Sequence, residues 1–321
     1  MTRHYTFIDY ATQGYMLLVG VLILMLHGAA VPIWPWLLLA HAVAIGCVHA
    51  LIVFHAKFPD NQLLGFVRSY YPILLYGAFY RETGELNQMV VTGFVDPVFF
   101  RLEEKVFGGQ PSVKFMEWLP HPWVSEIFYA AYFSYYVMIG GVGLALYLQN
   151  RRQFDHYLAV VSFVFYVCYL TYIFLPVIGP PLFHKTVHGY SLPPEFQPVE
   201  PLQVPAGIES GLFYRIMGWI YENIEAPGAA FPSSHVAVAL VTLYFSFLYL
   251  RPIRFVHLIA VLLLSLATVY CRYHFAVDVI AGAATALVLI PLGNWLYQRF
   301  QKPQDSGTGD LQGATAQSGR S

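Results

Sequence analysis

Charge is what this sequence has least of. Only 11% of its 321 residues are Asp, Glu, Lys or Arg, against 57% apolar and 17% aromatic, whereas about a quarter of an ordinary soluble domain is charged. The composition is that of an integral membrane protein. The few basic residues form no tract and the formal net charge is −1, so nothing supports a nucleic-acid partner. Cysteine is equally scarce. Cys47, Cys168 and Cys271 lie in or beside apolar runs without CxxC or other paired spacing, and they read as buried small hydrophobes. No small-residue cleavage pattern follows the first apolar run, which therefore reads as a retained span rather than a removed signal peptide. No internal repeat is visible.

What the chain has in abundance is long apolar segments. A bilayer span needs about 20 predominantly apolar residues, and about seven segments qualify. They lie near 14–31, 35–55, 125–148, 157–178, 234–250, 255–273 and 276–297. An eighth candidate, 62–80, carries Arg68 and Pro72. The expected fold is an all-α, polytopic transmembrane helix bundle. Arg151 with Arg152, Arg251 with Arg254, and Arg299 with Lys302 flank successive spans, and by the positive-inside rule these ends are cytoplasmic. The 179–233 and 272–275 connections then face away from the cytoplasm, across a plasma or inner cell membrane. The status of 62–80 decides the side of Met1.

Between the spans the pattern changes. Over 81–120, Asp96 and Pro97 open one helix, with Phe99, Leu102 and Val106 on one face, and Ser112 caps a second; both are expected to be amphipathic and interfacial. The proline-rich 179–207 stretch is expected to be irregular. Leu212, Ile216, Trp219 and Ile224 recur near helical spacing before Pro227 and Gly228, which predicts a surface helix. The small polar tail from 303 has no apolar face and is expected to be disordered. The organisation is thus N-terminal spans and interfacial helices over 1–120, a catalytic bundle over 121–300, and a tail over 301–321.

Two short stretches carry the chemistry: FPSSHVA at 231–237 and YCRYHFAVD at 270–278. Ser233 and Ser234 suit a helix start, whose free N–H groups and hydroxyls form an anion site, with His235 beside it to give or take a proton. His274 and Asp278 are four residues apart, a spacing that puts both on one helix face. A carboxylate that fixes one imidazole nitrogen leaves the other as nucleophile, and Arg272 would supply positive charge to phosphate oxygens. Each motif alone has a plain structural reading, as an interfacial polar anchor or a helix cap. Together they place two histidines, an aspartate and an arginine at span starts on one side of a chain that otherwise keeps charge out of its spans.

These residues resemble the type 2 phosphatidic acid phosphatase superfamily, which includes the vanadium haloperoxidases, and within it the inositolphosphotransferase branch related to fungal inositol phosphorylceramide synthase. The resemblance covers roughly 160–297. The family's Pro-Ser-Gly-His block is matched by Pro232, Ser233, Ser234 and His235, and its nucleophilic histidine and following aspartate by His274 and Asp278. By resemblance, His274 forms a phosphohistidine, Asp278 orients it and His235 protonates the leaving alkoxide. The family's arginine six residues before the nucleophile is here Thr268, so Arg272 would replace it. The lysine and Arg-Pro block is absent; PVIGPPLFHK at 176–185 stands in its place and is similar to the transferase branch. Lys185 or His184 would supply the missing charge.

The resemblance implies a phosphatase or phosphotransferase acting on a phospholipid or lipid phosphate, with water or an alcohol as acceptor and no metal or cofactor. Two other readings remain. A non-catalytic lipid binder or transporter is compatible with Thr268 and the missing block. A di-iron oxygenase is suggested by the HxxxH spacing of His184 and His188, but it needs several such boxes. His27, His41, His49 and His257 form none and read as polar groups satisfied between helices.

Overall fold

The computed structural model describes residues 4–180, 190, 191, 193, 196 and 203–300. Among these the chain is a helical bundle: α1 (Phe7–Leu26), α2 (Trp34–Lys57), α3 (Gln62–Leu86), α4 (Asp96–Phe107), α5 (Pro111–Trp118), α6 (Pro122–Gln149), α7 (Arg151–Phe174), α8 (Leu212–Ile224), α9 (Ser234–Tyr249), α10 (Arg254–Tyr270) and α11 (Ala276–Phe300). Five of them, α1, α2, α6, α7 and α11, are long and apolar enough to cross a membrane, and α9 and α10 are shorter apolar helices. Lys185, His184 and His188, and the tail from 301, lie outside the described residues.

Helix α7 is the centre. α1, α3, α6, α9 and α11 all pack on it, and Phe154, Tyr157, Tyr169 and Tyr172 are among the largest fully buried side chains. A buried tyrosine must place its hydroxyl. Tyr157 donates to Ile139 O at 2.8 Å, Tyr169 to Tyr76 O at 3.2 Å and Tyr172 to Pro232 O at 2.9 Å. The core is thereby cross-linked between helices as well as packed.

The eighth candidate, 62–80, is helical as α3, though α3 is not among the helices apolar enough to cross a membrane by composition. It has 25 residues, enough at about 1.5 Å per residue to match a bilayer core of about 30 Å. Its charges are met by partners on other helices. Arg68 pairs with the buried Asp9 of α1, which also accepts from Tyr71 at 2.7 Å, and Glu82 meets His41 of α2 at 2.7 Å. The same Asp9 takes the N–H and O–H of Thr6 at 2.7 and 2.8 Å. That is why α1 begins at Phe7 and not near 14.

The helix ends sort into two groups. At one end Phe7 stacks on Phe300 at 6.0 Å, and Tyr70, near the start of α3, stacks on Phe154 at 5.1 Å beside the Arg151 turn. At the other, Arg81 of α3 donates to Asn223 O at 2.6 Å and Tyr80 donates to Glu225. The start of α1 therefore shares an end with Arg151 and Arg299, and FPSSHVA and YCRYHFAVD share the opposite end.

The connecting helices differ in detail from expectation. α8 forms over 212–224, burying Met217 and Ile220 and presenting Leu212 and Trp219 outward. In α4 the buried face is Phe99 with Glu103, while Leu102 and Val106 are exposed. Asp96 is not its N-cap but its first residue; the carboxylate instead accepts N–H groups of Ile178 and Gly179 at 3.0 and 2.7 Å. Ser112 lies inside α5 and donates to Glu103 rather than capping. Cys168 and Cys271 are buried as expected, but Cys47 faces outward from α2.

Two outcomes follow from these buried carboxyls. Asp9→Asn leaves Arg68 as an uncompensated buried charge, and thermal or denaturant unfolding of the purified protein should show a loss of about 3–5 kcal/mol, restored in large part by Asp9→Leu with Arg68→Leu. Burial pushes the Asp96 carboxyl up to about 7, against its two backbone N–H bonds. The folded chain then holds that proton more tightly than the unfolded chain, so its stabilisation is present below about pH 4 and lost as pH rises to about 7. Asp96→Asn should flatten the fall in melting temperature over that window.

Candidate active site

Two helix starts, far apart in sequence, meet at one point. Ser233 is the N-cap of α9, its hydroxyl accepting the Val236 N–H at 3.4 Å. Its own N–H donates to the carbonyl of Asp278, in the first turn of α11, at 3.1 Å. This approach requires Gly282: a Cβ there would lie 2.5 Å from Ser233 O, closer than packing allows. Tyr172 completes the junction, donating to Pro232 O at 2.9 Å while its hydroxyl accepts the Ser234 N–H at 3.2 Å.

The YCRYHFAVD stretch is a turn and not yet helix at His274. The Thr268 carbonyl accepts both the Tyr273 and His274 N–H groups, at 3.1 and 3.0 Å, and Arg272 adopts φ 60°, the left-handed region that a non-glycine residue enters at some cost. Helix α11 starts only at Ala276. Asp278 therefore does not reach His274 along a helix face, as the four-residue spacing suggests. It bends back over the turn, accepting the Phe275 N–H at 2.9 Å and approaching His274 Nδ1 to 3.5 Å. That is ion-pair reach, longer than a good hydrogen bond, and Asp278 Oδ1 is buried with no hydrogen-bond partner.

The junction brings His274 Nε2 to 3.2 Å from His235 Nδ1. Ser233 Oγ lies 3.4 Å from the same His274 nitrogen. On the far side of the pair, Tyr132 of α6 places its hydroxyl 3.1 Å from His235 Nε2, and Tyr135 tilts against the same ring at 4.5 Å. Both histidines, Asp278, Ser233 and Ser234 are buried. The pair can hold or pass a proton between its facing nitrogens, and each ring has its other nitrogen tethered or approached by an oxygen.

Arg272 does not join them. Its guanidinium donates to Gln203 O and Val113 O, both at 3.1 Å, and meets Glu117 at 3.4 Å. It pins the turn to α5, and its hydrogen-bond partners are these rather than the histidine pair, while Arg272 Nε is buried without a partner. Of the four intramembrane histidines, His27 stacks on Trp34 and the other three hydrogen-bond to separate partners. His41 sits between Met16 O and Glu82, His49 on Tyr5, and His257 between Thr242 and Ser246.

Sequence reasoning passed over four contributors. Gly282 and Tyr172 fix the junction, Tyr132 holds His235, and Glu103 accepts the Ala276 N–H at 2.7 Å and the Ser112 hydroxyl at 2.6 Å, fastening the start of α11 to α4. Burial pushes the Glu103 carboxyl up, opposed by those two hydrogen bonds. A Glu in an amphipathic helix carries no local mark of a partner 173 residues away.

The same two stretches decide the comparison with known proteins. A family model described as the PAP2 superfamily matches residues 99–292, a span that includes both histidine stretches together with α4 and α5. No curated protein and no solved structure matches the chain. With more than half of its length matched and its two histidines joined at a shared helix junction, the chain belongs to the PAP2 superfamily, whose membership suggests phosphatase or phosphotransferase activity on lipid phosphates.

Proposed function

We propose that the chain breaks a phosphate ester of a membrane lipid through a covalent phosphohistidine. The observation that carries this is the facing pair, His274 Nε2 and His235 Nδ1, 3.2 Å apart. An attack-ready arrangement keeps each pair of reacting atoms about 3 Å apart, so a phosphoryl group can lie between the rings only when they part. Tyr132 and Asp278 contact the outer nitrogens of the two rings and can keep those contacts while the facing nitrogens part.

In the first step the His274 Nε2 lone pair attacks phosphorus as the phosphorus–oxygen bond to the lipid alcohol breaks. His235 gives its Nδ1 proton to the departing oxygen. Asp278 holds the Nδ1 proton of His274 and stabilises the positive charge that builds on that ring. In the second step His235 takes a proton from water or an acceptor alcohol, whose oxygen attacks phosphorus and releases His274. Ser233 and Ser234 at the start of α9 offer the phosphate oxygens hydrogen bonds and the positive end of a helix dipole. Lys185 is the candidate cation. The site is read as lying on the non-cytoplasmic face, a reading the positive charge at Arg151 and Arg299 at the opposite end supports.

The finer reading is a transferase of the inositol phosphorylceramide synthase type. Thr268 in place of the phosphatase arginine and PVIGPPLFHK after α7 support it. Labelled phospholipids incubated with the purified protein, with and without inositol, glycerol and ceramide-like acceptors, distinguish hydrolysis from transfer by their phosphorus-containing products. His274→Ala and His235→Ala should each lower turnover by about 10²–10⁴-fold. Full turnover in both variants would sink the mechanism.

A further inference from the structure

Beside the histidine pair lies a cavity of about 280 Å³ that the two-step chemistry does not use. His235 and Ser234 lie at one part of its lining, and its walls are α3, α6 and, through Phe165 and Tyr169, α7, with Ile220 and Ile224 of α8 also lining it. From Tyr80 to Ile73 its α3 wall covers eight residues, about 10 Å along the helix axis, so it runs from the site into the apolar band of the bundle. Gly77 and Gly140 line it from opposite sides. A Cβ at either would meet nothing within 4 Å, and both glycines are exposed, so the space beside each is open.

One lining residue does not fit an apolar cavity. Glu225 places its carboxylate in the wall, where Tyr80 donates a hydrogen bond to it. A carboxylate in such surroundings is stabilised by further N–H or O–H donors. Among the described residues the side-chain donor to it is Tyr80, and the carboxylate is half-buried, so its second oxygen is open to a further donor.

The cavity opens on His235 and not on His274. The group held in it is therefore the one that His235 protonates, the departing alcohol, and by microscopic reversibility an acceptor alcohol enters at the same place. We propose that the cavity seats a long-chain alcohol whose chain runs between α3 and α6, and that Glu225 selects an alcohol with an O–H or N–H donor next to its reacting oxygen. This rests on the role given to His235 above. Burial pushes the Glu225 carboxyl up to about 7, opposed by the Tyr80 hydrogen bond.

Binding of non-hydrolysable phosphonates to the purified protein in nanodiscs, read by thermal shift, tests this without requiring turnover. The ligands are butyl and tetradecyl phosphonates, plain or with an amino or hydroxyl group on the carbon next to the one bearing phosphorus. In the wild type the tetradecyl compounds should bind at least about tenfold tighter than butyl, since each buried methylene favours the apolar site. Gly77→Leu and Gly140→Leu should each remove most of that gain and leave butyl binding unchanged. The amino or hydroxyl compound should bind tighter than the plain one, and Glu225→Gln should abolish that preference; a preference for amine over hydroxyl identifies a cationic donor. A chain-length gain untouched in both glycine variants, or no donor preference in the wild type, overturns the proposal. Turnover of lipid phosphate that survives His274→Ala overturns the chemistry instead and leaves these binding results standing.

Discussion

The backbone hydrogen bond from Ser233 N–H to Asp278 O is the constraint on which the site depends. It joins the start of α9 to the start of α11, and it forms only because Gly282 lets the two backbones approach. With that junction set, the backbone position of each histidine is largely determined. His235 is the second residue of α9 and His274 is two residues before α11. The backbone at neither can move far without unpairing buried groups, whose loss costs about 1–3 kcal/mol each, so the rings part by side-chain rotation.

Around that junction the bundle gives many of its buried polar groups hydrogen-bond partners, as burial in a membrane requires, though Asp278 Oδ1 and His274 Nδ1 are left without one. Tyrosines do most of this. Tyr132 meets His235, Tyr172 spans Pro232 and Ser234, and Tyr80 meets Glu225. Each has a large apolar body that packs among the helices and one hydroxyl that reaches a polar partner. Outside the spans, Glu103 and Asp96 do the same for backbone N–H groups, at Ala276 and at Ile178 with Gly179. The 99–292 family match thus includes a short helix, α4, that fastens the reacting turn from outside the spans.

Much of this was legible in the sequence because it is local. Apolar length marked the spans, and Ser233 before an apolar run marked the start of α9. The helix α3 resisted because its hydropathy is broken by Arg68 and Glu82, and the residues that neutralise them, Asp9 and His41, are 59 and 41 positions away. Arg272 is a related case. Closeness in sequence to His274 suggests a shared target, but its guanidinium bonds instead to Gln203 O, Val113 O and Glu117. The four-residue spacing of His274 and Asp278 likewise suggested a helix face, while the structure makes the contact across a turn.

The most direct measurement is to trap the covalent intermediate. The purified protein is mixed with a lipid substrate labelled at phosphorus, quenched in alkali to preserve phosphohistidine, and digested for mass spectrometry. The account predicts a phosphorus-containing adduct on His274 in the wild type and none in His274→Ala. An adduct on another residue, or product formation with no adduct on any histidine under conditions that preserve one, would contradict it.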